Sequence, residues 1–77
     1  MNNQVIEIYP RGTVIETIVG KVTGVITGVC IRGTSVTYEV SYFDDKVYVT
    51  IWMAEGEFKV RTKNVEKQKI GFMNNDN

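Results

Sequence analysis

The stretch Lys21-Val-Thr-Gly-Val-Ile-Thr-Gly-Val-Cys-Ile-Arg32 decides the fold. It alternates almost strictly. Val22, Gly24, Ile26, Gly28 and Cys30 fall on one face, and Thr23, Val25, Thr27, Val29 and Ile31 on the other. Period-two alternation is the signature of a strand. Two glycines four apart on one face of a strand weaken it unless they permit a sharp bend or a close backbone approach. A small sheet that coils tightly needs both. A phosphate-cradling loop is the functional alternative for Gly24 and Gly28, and their spacing matches no phosphate-loop pattern.

The same reading extends outward. After the turn Gly33-Thr34-Ser35, the residues Val36, Tyr38, Val40 and Tyr42 alternate with Thr37, Glu39 and Ser41. Phe43-Asp44-Asp45-Lys46 supplies a hairpin connection with acidic turn formers. Val47, Val49, Ile51 and Met53 then alternate with Tyr48, Thr50 and Trp52. Ala54-Glu55-Gly56-Glu57 is short enough for one helical turn, and Phe58–Arg61 reads as a last short strand. Upstream, Gln4–Tyr9 is a first strand closed by Pro10-Arg11-Gly12, and Thr13–Val19 is a second extended segment of ambiguous facing. From Thr62 the alternation fades. Residues 62–77 are expected to be a polar, partly basic, disordered tail on a domain spanning 1–61.

Composition agrees with an all-β fold. Val, Ile and Thr supply 28 of 77 residues, and β-branched side chains suit a pleated surface. Five to six short strands with turn signals about every ten residues describe a small sandwich or barrel. A one-turn helix before the last strand is the arrangement of an SH3-like antiparallel barrel. A chain of this size hides only about 60% of its unfolded surface, so a private active site would compete with the core.

Gly24–Gly33, Val36–Phe43, Trp52 and Glu57-Phe58 together resemble small proteins of bacteriophages and prophages with SH3-like or Tudor-like barrels. The resemblance spans roughly residues 20 to 60. It implies the fold and a phage or mobile-element origin. It carries no catalytic residues, because its motifs are hydrophobic patterns.

Several chemistries are excluded by residue type. The chain has no histidine, so Ser-His-Asp and Cys-His arrangements cannot form. One cysteine without histidine removes the ordinary zinc sites. Cys30 therefore reads as a small core residue, and one cysteine allows no internal disulfide. Asp44 and Asp45 read as a solvated turn, short of the six to eight oxygens of a calcium site. No cofactor is expected. No apolar run approaches a membrane span, and Met1–Gln4 lacks the features of a signal peptide, so cytoplasmic synthesis is expected.

The formal net charge is zero and the pI about 6.2. Residues 1–58 carry a net of −3 and residues 59–77 a net of +3, through Lys59, Arg61, Lys63, Lys67 and Lys69. The bland reading of that segment is a solvated tail; the functional one is an anion-contacting arm. Among the aromatics, Tyr38 and Tyr42 fall with the aliphatic face, whereas Phe43, Tyr48 and Trp52 fall on the other. The alternative for Trp52 is packing under the chain crossing or against Thr13–Val19.

Three functions follow as expectations. The first is a non-enzymatic protein-interaction module that docks on a phage or host protein through Phe43, Tyr48 and Trp52, with homo-oligomerisation through an exposed strand edge. The second is a nucleic-acid-binding barrel using Lys59, Arg61 and Lys63 on phosphates and the aromatics on bases. The third is an oligomeric small-ligand-binding protein or enzyme with an interface site.

Overall fold

The computed structural model describes residues 3–73 of the chain, with side chains described for 5–71. The regular alternation of the central strand is broken once, and that break sets the core. β3 (Thr23–Arg32) pairs antiparallel with β4 (Ser35–Asp44), and the register shifts between Ile26 and Gly28. Thr27 is the extra residue of a β-bulge. A one-residue shift moves every later side chain to the other face. Ile26 is therefore buried before the bulge, and Val29 and Ile31 pack against the core after it.

This corrects the expected facing of the strand's second half. Cys30 lies opposite Thr37, half-buried, on the face away from the core. Gly24 does serve a close approach. A Cβ there would lie 2.7 Å from Val40 Cγ1 and 3.0 Å from the Ser41 carbonyl oxygen.

The other elements are β1 (Asn3–Ile8), β2 (Val14–Thr17), β5 (Val47–Ala54), a 3₁₀ turn at Glu55–Glu57, β6 (Phe58–Val60) and β7 (Gln68–Met73). Five strands form one antiparallel sheet in the order β5-β4-β3-β2-β6. β1 and β7 form a separate antiparallel pair, with Ile6 opposite Ile70. The fold is thus all-β in two sheets, with seven strands among the described residues instead of five to six.

The tail expectation also needs correction. Thr62 Oγ1 accepts from the Val14 N–H at 2.7 Å, and Gln68–Met73 is β7 rather than unpaired chain. The final four residues lie outside the described part.

The core comprises Ile8, Ile15, Ile26, Tyr38, Val40, Met53 and Phe58. Ile6 and Ile70 pack against it, which joins the β1–β7 ribbon to the larger sheet. Tyr9, Tyr38 and Phe58 form an aromatic cluster with centroids 5.6–6.2 Å apart, in tilted or edge-on arrangements that ring quadrupoles favour. The buried Tyr38 hydroxyl accepts from the Tyr9 N–H at 3.1 Å. Among the described residues, no helix is long and apolar enough to cross a membrane.

Candidate functional site: the outer face and free edge of β5

The β4–β5 hairpin places the three aromatics singled out in the sequence. Asp44 pairs with Val47 across a two-residue turn in which Asp45 and Lys46 have φ of 50° and 71°. Positive φ at both central residues matches a type I′ turn, whose twist suits the flanking strands. The register then sets Phe43 opposite Tyr48, Ser41 opposite Thr50 and Glu39 opposite Trp52 on the outer face. Tyr38, Val40 and Tyr42 oppose Met53, Ile51 and Val49 on the inner one.

Phe43, Tyr48 and Trp52 are 65%, 68% and 53% exposed. The Phe43 and Tyr48 rings pair across the strands at 4.8 Å between centroids. Trp52 is not packed under a chain crossing or against Thr13–Val19: it is exposed on the outer face, while Thr17–Val19 lines a groove with Tyr42, Ile51 and Met53 of the inner one. Between the aromatics runs a polar ladder. Thr27 Oγ1 donates to Glu39 Oε1 at 2.8 Å, and Ser41 and Thr50 share a hydroxyl hydrogen bond at 3.1 Å. Gly28 leaves room for this arrangement, since its missing Cβ would sit 3.2 Å from Glu39 Oε1.

β5 is also an edge. Its sequence Val-Tyr-Val-Thr-Ile-Trp-Met-Ala contains no charge, proline or glycine. Natural edges usually carry lysine, proline or a bulge to prevent pairing with another chain. Its first residue, Val47, is 60% exposed.

Around the inner end of β5 lies an open apolar groove of about 380 Å³, lined mainly by Ile18, Val19, Val22, Tyr42, Ile51 and Met53. Its wall is carried by the β2–β3 hairpin. The Thr17 N–H donates to the Val22 carbonyl at 2.8 Å, and the Ile18 N–H to the Glu57 carbonyl at 3.0 Å. The groove's carboxylate is Glu57, which accepts from the Ala54 N–H at 2.9 Å.

The basic candidates fall elsewhere. Lys59 lies on β6, at the opposite end of the strand order from β5. Arg61 is bound to Glu16 at 3.0 Å, and Lys63 is exposed in the segment leading to β7. Lys67 bridges to Glu55 at 3.0 Å and sits 4.7 Å from the Tyr9 ring centroid. The Glu55 hydrogen bond raises the Lys67 pKa, while burial, with help from Glu55, raises that of Tyr9. Two of the five late cations are therefore already answered by carboxylates. The six sequence candidates form two groups: Phe43, Tyr48 and Trp52 together, and Lys59, Arg61 and Lys63 apart from them.

The sequence reading missed the Tyr9–Glu55–Lys67 cluster, whose successive members are 46 and 12 residues apart along the chain. It also left unassigned which edge would be bare. The charge-free run Val47–Ala54 was the available signal. Compared with protein families, curated proteins and solved structures, the chain matches none.

Proposed function

We propose that this chain is a non-enzymatic protein-interaction module with an SH3-like fold, which docks on protein through the outer face and free edge of β5. The observation that carries the reading is the joining of exposed Phe43, Tyr48 and Trp52 to an uncharged edge strand. An edge offers backbone hydrogen bonds to an extended segment, and alternate side chains add selectivity. The SH3-like assignment is supported by the strand order and by the 3₁₀ turn before β6. In this reading the β1–β7 ribbon is an addition to the five-strand pattern. The resemblance of residues 20–60 favours a phage structural or accessory protein as the setting.

The test compares wild type with a Tyr48→Ser/Trp52→Ser variant as bait in extracts of the source cells. Wild type is expected to retain a defined protein that the variant loses. Identical captured sets would overturn the reading. Binding to single-stranded DNA that weakens with salt and is lost in Lys59→Gln/Lys63→Gln would replace it with the nucleic-acid reading.

A further inference from the structure

We infer that the occupant of the β5 edge is a second copy of this chain, paired antiparallel about a two-fold axis through Thr50. The inference rests on the interaction reading and adds its partner and register.

The hairpin fixes which backbone groups are free. A two-residue turn is closed by a hydrogen-bonded pair, here Asp44 and Val47. Antiparallel ladders alternate bonded and non-bonded pairs. Val47, Val49, Ile51 and Met53 therefore direct their N–H and C=O groups at β4. Tyr48, Thr50, Trp52 and Ala54 direct theirs at the open edge. Among the described residues, no turn or loop bonds to the backbone of Tyr48, Thr50 or Trp52. Ala54 differs, because its N–H already donates to Glu57. The other end of the free set is bounded by Lys46, held at positive φ in the turn.

The free set is thus three residues at positions 48, 50 and 52. Antiparallel pairing of β5 with its copy keeps faces matched only if paired residue numbers sum to an even value. A sum of 102 would require the Ala54 N–H that Glu57 holds. A sum of 98 would require Lys46 in the turn. A sum of 100 maps the free set onto itself: Thr50 meets Thr50 of the second copy, and Tyr48 meets Trp52 of the second copy, twice. The same register sets Val49 against Ile51 of the second copy on the inner face. Aromatic and β-branched cross-strand pairs stabilise a sheet. The strand has no charge to set like against like across the axis. At the flank, Asp45 falls opposite Glu55 of the second copy, whose charge Lys67 already balances. A two-fold interface must be self-complementary, and this edge is.

The experiment uses light scattering on the full chain with Thr50→Lys, Thr50→Glu and their equimolar mixture. Thr50 is exposed, so both variants should keep the fold, checked by circular dichroism and cooperative unfolding. Wild type is expected at twice the 8.7 kDa chain mass. Each variant alone should scatter as a monomer, because like charges meet on the axis. The mixture should return to the dimer mass. A wild type that stays monomeric at every concentration overturns the pairing, and the bait comparison then decides the interaction reading separately. A dimer that survives Thr50→Lys and Thr50→Glu alike also overturns it, with self-association moved to another face.

Discussion

Gly24 and Gly28 look equivalent in sequence and differ in what surrounds them. At Gly24 a Cβ would meet a γ-methyl and a backbone carbonyl, neither free to swing away. Gly24→Ala should cost about 1–3 kcal/mol, the usual range for overpacking. At Gly28 the nearest atom is the far end of the Glu39 side chain at 3.2 Å, with the Glu39 Cβ in ordinary contact at 3.4 Å. Gly28→Ala should change stability by less than about 1 kcal/mol, since the carboxylate can yield and alanine suits a strand better. Urea unfolding of both variants checks the contrast, and equal losses would contradict it. The Tyr38 hydroxyl, which accepts from the Tyr9 N–H, makes a second case. Tyr38→Phe leaves that donor without its acceptor and should cost about 1–3 kcal/mol. Burial raises the pKa values of Tyr38 and Tyr9 above 10.0, and the Glu55 hydrogen bond raises Lys67 above 10.5. Each group holds its proton more tightly when folded. Their contribution is complete below those ordinary values and is lost as pH rises through the higher folded ones. The urea midpoint should therefore be level from neutral pH to about pH 9 and decline above about pH 10. A midpoint that rises there would contradict the burial of Tyr38.

At the scale of elements, β7 stands apart from the five-stranded sheet. Among the described residues its one sheet partner is β1, and Ile70 packs against the core beside Ile6. A chain ending at Lys67 should lose about 2–4 kcal/mol, because β1 loses its ladder and the ribbon loses a buried aliphatic contact. Chemical denaturation measures this directly, and an unchanged midpoint would mean β7 contributes nothing. β3, β4 and β5 were legible because long alternation and turn residues reinforce each other across residues 21–54. β7 was not, because Gln68–Met73 is a short run that opens on two polar residues and is interrupted by Gly71, and its partner strand lies sixty or more residues away. No local rule reports such a partner. The bulge at Thr27 was hidden for a related reason. The alternation of β3 runs unbroken in sequence, and only the register against β4 reveals the extra residue. Cys30 was assigned to the wrong face as a direct result. The aromatic face of the candidate site was readable, since Phe43, Tyr48 and Trp52 lie beyond the bulge's influence on a regular hairpin.

For the whole molecule, the open edge of β5 is the proposed interface. Charge supports that more than a nucleic-acid surface. The chain is neutral, and Arg61 and Lys67 are paired with Glu16 and Glu55. Exposed ion pairs of this kind add little stability, about 0–1 kcal/mol each, but they reduce the field available to a polyanion. The most direct measurement is residue-resolved amide hydrogen exchange as a function of protein concentration. Along β5 the amides fall into two sets. Those of Val49, Ile51 and Met53 are bonded within one chain and should be protected at every concentration. Those of Tyr48, Thr50 and Trp52 should exchange freely in dilute solution and become protected together as concentration rises. Amides of Tyr48, Thr50 and Trp52 that exchange equally fast at all concentrations would contradict it.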